Sequence, residues 1–299
     1  MSSAADGTNT MNCASCGSAG GDDIKLKQCA CHLVKYCSVK CQKDHRPQHK
    51  KECKKRVAEL KDEMLFKQPE SSNTGDCPIC YLPVSLDPKK SVLYSCCCKF
   101  ICMGCDYANK KREIEGRLQQ KCAFCRKAVP STDEEENEQW MQRLEANDPM
   151  AMCYMGSKKS IEGDHESAFE YFTKAAAMGD AEAHYHLFMM YHNGAGVEKD
   201  EKRALHHAEQ AAIGGHPLAR HNLACMEGGK GQYDRAVKHL IIAAKLGFDM
   251  SLEHAKTLYN YGVVSEEDFA VALRGHQAAI DATKSPQREE AYKLHPHRE

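Results

Sequence analysis

Along residues 131–279 apolar and small residues recur at helical spacing, whereas residues 1–130 hold them only in short, interrupted groups. Ala151, Ala183 and Ala219 open segments in which Met155, Leu187 and Leu223 follow four residues later. Ala168, Ala204 and Ala236 then each precede an alanine pair by seven positions, and Gly179, Gly215 and Gly247 close the units. Residues so spaced share one helix face, small alanines let paired helices approach closely, and a closing glycine supplies a left-handed cap. The opening alanines lie 32 and then 36 residues apart. The four extra residues coincide with Gly194-Ala195-Gly196-Val197, a turn between two helices. Each unit therefore reads as a helical hairpin whose open face is satisfied only by stacking. Three clear units are predicted over about 148–248 and a degenerate fourth over 250–279. The helical region as a whole runs from 131 to 279 and is followed by a disordered polar tail, 280–299. Ser131-Thr132-Asp133-Glu134 predicts the start of the first helix, which carries Trp140, and Ser265-Glu266-Glu267-Asp268 the start of the last.

The longest aliphatic or aromatic runs, Leu187 to Tyr191 and Leu240 to Ala244, fall far short of the roughly 18 apolar residues a spanning helix needs. The first half has the opposite difficulty, being too polar to hold itself together by burial alone. Its compensation is cysteine: of 18 in the chain, 16 lie between Cys13 and Cys125. The opening MSSAADGTNT has neither a basic n-region nor an apolar h-region, so an intracellular (cytoplasmic or nuclear), reducing compartment is expected and metal is favoured over disulfides.

The first block orders its candidate ligands as Cys13, Cys16, Cys29, Cys31, Cys37, Cys41, His49 and Cys53. Two thiolates a few residues apart can face one tetrahedral ion, so four pairs imply two zinc ions. His49 and Cys53, four apart in a polar run, are expected on one helix face. Cys13-x2-Cys16, Tyr36-Cys37-x3-Cys41-Gln42 and His49-x3-Cys53 together resemble a MYND-type zinc finger over residues 13–53. That resemblance implies interleaved pairs, with Cys13, Cys16, Cys37 and Cys41 on one ion and Cys29, Cys31, His49 and Cys53 on the other. His32 is an alternative to Cys31 at the family's usual spacing, and His45 a lesser alternative to His49. The resemblance also implies docking of short proline-containing peptides. The basic helix and linker 54–76 follow; the cationic run Lys50 to Arg56 reads as a solvated helix face.

The pattern restarts at Cys77-x2-Cys80 and closes at Cys122-x2-Cys125, with Cys96-Cys97-Cys98, Cys102 and Cys105 between. Nine candidates serve eight positions. Read as Cys96-x-Cys98-x3-Cys102-x2-Cys105, residues 77–126 resemble a RING finger with cysteine in place of the usual histidine. That resemblance implies Cys77, Cys80, Cys102 and Cys105 on one ion. The other ion would take Cys122 and Cys125 together with two of Cys96, Cys97 and Cys98, spacing leaving the spare one open. It further implies recruitment of a ubiquitin-conjugating enzyme, an E2, with Ile79 and Arg126 at the contact. Against ligase activity, Ala123 stands where active RING fingers often carry proline.

The stretch Gly194-x-Gly196-Val197-x2-Asp200-x3-Ala204 resembles the Sel1-like repeat, a relative of the tetratricopeptide repeat. The module combination is similar to that of uncharacterised proteins carrying MYND, RING-like and Sel1 modules together. His184, His186, His206, His207 and His221 are read as surface and groove residues, because no paired cysteine or carboxylate accompanies them. Cys153 and Cys225 are read as free core cysteines rather than nucleophiles.

The expected architecture is thus small zinc-stabilised modules, MYND and RING-like, followed by an all-α helical-hairpin solenoid. A segment 1–12 is expected to be disordered. No complete catalytic constellation is present, so the chain reads as a protein-binding adaptor holding about four Zn2+. Its expected partners are proteins at the solenoid groove and the MYND finger. The formal charge of -1 argues against a nucleic-acid binder. Fifteen thiolates and four divalent ions would take the loaded protein to about -8, which weakens that reading further.

Overall fold

The computed structural model describes residues 12–20 and 25–294, so the expected disordered segment 1–12 lies, except for Asn12, outside the described residues. The chain forms two compact units, Met1–Lys67 and Gln68–Glu299.

In the first unit, β1 (Lys27–Gln28) pairs antiparallel with β2 (Lys35–Tyr36), placing Lys27 opposite Tyr36. A long helix, α1 (Val39–Leu65), follows, with the Ser38 hydroxyl accepting from the Cys41 N–H as its N-cap. This helix has no apolar stripe, and Pro47 lies within it, so helix packing does not organise the unit. Its small core is Cys13, Cys29, Cys31 and Tyr36, flanked by Leu26, Val34, Cys37, Cys41 and Cys53.

The second unit opens with another cysteine-rich module. β3 (Ser91–Tyr94) and β4 (Lys99–Cys102) form an antiparallel hairpin whose turn carries the three consecutive cysteines. α2 (Met103–Glu115) starts directly from β4. Tyr94 donates to Asp106 at 2.5 Å, tying hairpin to helix. Glu113, wholly buried, accepts from the Lys121 N–H at 3.1 Å and so draws the following loop back onto α2.

The solenoid comprises α3 (Asp133–Glu145), α4 (Pro149–Ile161), α5 (His165–Ala177), α6 (Ala181–Asn193) and α7 (Glu201–Ile213), then α8 (Pro217–Gly228), α9 (Tyr233–Lys245), α10 (Asp249–Asn260) and α11 (Glu266–Ala282). Hairpins α4/α5, α6/α7 and α8/α9 stack in order. Ala151, Ala183, Ala219, Ala168, Ala204, Ala175, Ala211 and Ala243 have no solvent exposure, which is the close approach the repeat spacing implies. Asp148, Asp164, Asp180 and Asp200 cap successive helices through their carboxylates. Gly196, at φ +71°, is required at the turn of the middle unit, because a Cβ there would lie 2.5 Å from the His165 side chain.

The C-terminal end departs from the expected tail. α11 runs to Ala282, and Pro286–Leu294 forms a further helix, α12, packed against α2. Its Arg288 is almost fully buried and donates to the carbonyls of Leu82, Pro83 and Thr283. The polar sequence concealed this because the anchor is a charged residue, with its charge matched by carbonyls and a thiol rather than by an apolar stripe.

Candidate metal centres

Each unit gathers its cysteines by the same local device. A pair bends through a tight knuckle, and the residue after its second cysteine is left-handed: Gly17 at φ +76°, His32 at +61°, Tyr81 at +56° and Arg126 at +64°. That turn aims backbone N–H groups at sulfur; the amides of Phe124 and Cys125 donate to the Cys122 Sγ at 3.4 and 3.5 Å. A left-handed non-glycine residue costs about 1–2 kcal/mol, so three of these knuckles need an external stabiliser.

In the first unit the pairs interleave. Cys13, Cys16, Cys37 and Cys41 bring their sulfurs together, and Cys29, Cys31, His49 and Cys53 form a second group, donor atoms within 4.8 Å in each. His49 turns Nε2 toward Cys31 Sγ at 3.1 Å, while Glu52 lies 3.7 Å from its Nδ1. Neither alternative histidine enters a cluster: His32 occupies the knuckle, and His45 Nδ1 meets the Tyr36 hydroxyl at 2.9 Å.

In the second unit Cys77, Cys80, Cys102 and Cys105 form one cluster, and Cys96, Cys97, Cys122 and Cys125 the other. The pairs again alternate between clusters along the chain. Cys96 takes the expected place, but the reading of Cys98 as a ligand is corrected. Cys97 joins the cluster, and Cys98 points away, packed with Trp140 and Ala151 from α3 and α4. The hairpin turn decides the outcome, since Cys98 is left-handed at φ +52° and its side chain leaves on the other side. Spacing could not separate three adjacent cysteines, because which one turns away depends on a tryptophan some forty residues downstream in the fold.

The closest sulfur–sulfur contacts within the clusters run from 3.3 Å (Cys96 to Cys125) to 3.8 Å (Cys80 to Cys102 and Cys97 to Cys122), and all donor atoms of a cluster lie within 4.8 Å of one another. The edge of a tetrahedron around zinc with 2.3 Å bonds is about 3.8 Å, whereas a disulfide needs about 2.05 Å. Fifteen thiols and one imidazole, grouped in fours without carboxylates, suit zinc and not magnesium or calcium. The clusters fit about four zinc ions. In each cluster of the second unit one thiol is held down by hydrogen bonds from its neighbours, Cys122 at about 2 beside Cys96 and Cys97 and Cys77 at about 4 beside Cys102, and those same neighbours are pushed up. Burial pushes Cys98 up to about 11, as befits a thiol serving as core.

The next layer outward is charged. Arg288 donates from Nη2 to Cys80 Sγ at 3.3 Å, setting a cation against a four-thiolate cluster. Arg126 reaches Asn109 at 2.6 Å and the buried Glu113 carboxylate at 2.9 Å. With Ile79, Ala123, Ala108 and Arg112 it lines a groove of about 490 Å³ beside α2. The remaining cysteines divide: Cys153 is core on α4, as expected, whereas Cys225 is exposed on α8, correcting its reading as a core residue.

A family model of the MYND finger matches residues 13–53, and a model of the Sel1 repeat matches 149–180, 181–216 and 217–248, which are the hairpins α4/α5, α6/α7 and α8/α9. No curated protein matches the chain. Among solved structures, a Sel1 repeat protein from Oxalobacter formigenes is similar at 26% identity and a TM-score of 0.45, over 52% of this chain and 66% of that one. A protective antigen of uropathogenic Escherichia coli with an SLR fold is similar at 22% identity and a TM-score of 0.41, over 57% of this chain and 38% of that one. The chain thus spans just under two thirds of the first and well under half of the second. No helix among the described residues is long and apolar enough to cross a membrane. The chain carries a MYND finger and three Sel1 repeats, and with its four cysteine clusters it is a zinc-binding protein built of protein-interaction modules.

Proposed function

We propose that this protein is an adaptor whose MYND finger and solenoid select partner proteins while the cysteine module of residues 77–126 acts as a RING-like domain that recruits an E2. In this reading the four ligand sets are the four clusters described above, with Cys97 in the place first given to Cys98. The alternation of pairs in the second unit is the cross-brace a RING finger requires. The observation that carries the reading is the groove beside α2, in which Ile79, partly exposed, lies together with Ala123 and Arg126. Ile79 would supply the apolar contact, and Arg126, whose two terminal nitrogens donate to Asn109 and Glu113, would offer its remaining N–H groups to a docked carbonyl. Nothing covalent is asked of the chain; it binds and orients.

A second groove, of about 360 Å³, lies in the first unit between Tyr36, Val39, Gln42, Arg46 and Lys50. Its aromatic wall and exposed Val39 suit a short proline-containing peptide, and its cations favour acidic flanks.

Autoubiquitination with a panel of conjugating enzymes tests the ligase part. The wild-type chain is expected to form conjugates, and Ile79→Ala to abolish them with zinc content unchanged. A non-catalytic scaffold is the second reading, favoured by the engagement of Arg126 with Glu113. Absence of conjugates with every enzyme, from zinc-loaded protein, would establish it in place of the ligase.

A further inference from the structure

Fifteen cysteines belong to the four clusters, and Cys98 and Cys153 are buried among apolar neighbours. Cys225 is different. It lies exposed on α8, one helical turn after His221, and His254 approaches from α10. The three side chains bring a thiol and two imidazole nitrogens within 4.8 Å of one another.

We propose that His221, Cys225 and His254 form a transition-metal site on the solenoid, with two imidazoles, one thiolate and an open fourth position, suited to Zn2+ or Cu+. The donor set excludes hard cations, and three protein ligands with one open position is the arrangement of an exchangeable zinc centre rather than a closed structural one. The His221 ring is already positioned. The Ser251 hydroxyl, wholly buried, lies 3.0 Å from His221 Nδ1, and the Phe248 ring meets the same imidazole edge-on at 5.8 Å. An outer hydrogen bond that fixes one nitrogen and frees the other is the usual companion of a ligating histidine.

Other histidines of the solenoid are differently occupied. His216 caps α8 through Nδ1 and faces Glu182 at 3.2 Å, His276 faces Asp249 at 2.7 Å, and His184 and His207 meet each other at 3.0 Å. The ligands come from α8 and α10, which are successive first helices of the stack, so a bound ion clamps one repeat to the next. The open position faces solvent with Cys225 and accepts water or a donor from a docked protein. In sequence His221-x3-Cys225 repeats the spacing of His49-x3-Cys53 but has no second pair beside it, and the third ligand lies 29 positions away from Cys225.

The test is alkylation of Cys225 by iodoacetamide in the full chain with its structural zinc retained, followed by mass mapping, in the presence of Zn2+ alone or Cu+ alone. An ion present at about ten times its dissociation constant slows the reaction about tenfold. His254→Asn and His221→Asn, which leave the thiol in place, are expected to restore the metal-free rate with helical content unchanged. Protection by one ion only identifies the ion. Equal rates with and without both ions, or protection undiminished in His254→Asn, overturn the site. Should a histidine variant misfold, Cys225→Ser changes one exposed atom, and by native mass it must bind one ion fewer than wild type; an equal number overturns the proposal.

Discussion

In the solenoid, alanines hold many of the positions shut off from solvent: Ala151, Ala168, Ala183, Ala204, Ala211 and Ala243 carry no exposure. In the module just before it the same burial falls to Cys77, Cys102 and Cys122. Both regions are built of short segments, yet they close their interiors by opposite means. Alanines work by omission, letting helices meet so that Phe172, Leu187, Leu223 and Leu240 bury fully. Thiols work by coordination, holding knuckles whose left-handed residues are unfavourable without it. Short polar segments can therefore be ordered either by repetition or by metal, and this chain uses each where the other would fail.

Chelation breaks the comparison most directly. Structural zinc supplies about 10–16 kcal/mol per site in small finger modules. Stripping the metal should abolish amide-exchange protection in β1 to β4 while α4 to α10 keep theirs, as read by hydrogen-exchange mass spectrometry. The reciprocal perturbation is Leu187→Ala, expected to destabilise the solenoid by about 2–5 kcal/mol with no change in zinc content, measured by chemical denaturation and metal analysis. Arg288→Ala tests whether α12 belongs to the metal-held region. Losing its donors leaves the Pro83 carbonyl without its partner, at about 1–3 kcal/mol for a buried group, while the Leu82 carbonyl keeps the Cys77 N–H, and α12 should exchange freely.

Acid separates the regions more gently. Burial, reinforced by His184 and His206, holds His207 down from 6.5 to about 4, and burial lowers His186, His239 and His254 as well. The unfolded chain then binds more protons than the folded one between these values. Solenoid stability is full above about 6.5 and declines as the pH falls toward 4. Denaturation of the chelated chain at several pH values checks the slope without interference from zinc release.

The repeat was legible in sequence because alanine and glycine positions recur with a fixed spacing that helical geometry converts directly into contacts. The pairing of cysteines in both blocks was legible for a similar reason, since ligand spacing along a knuckle or one helical turn is local. What escaped was set by distant partners. Cys98 is diverted by Trp140 and Ala151, α12 is anchored by a buried arginine, and Cys225 is drawn into company by a histidine two helices on. Apart from the His221-x3-Cys225 spacing, none of these has a local signature, because each depends on how separately readable pieces are packed.

The central claim is that four zinc ions organise the cysteine-rich half while the solenoid orders itself. Native mass spectrometry of the Cys225→Ser chain, in which the proposed solenoid site cannot contribute, counts the ions directly. Four zinc ions per chain are predicted from the four clusters. Two would contradict the account, by leaving one of the two cysteine blocks without the metal on which its fold is argued to depend.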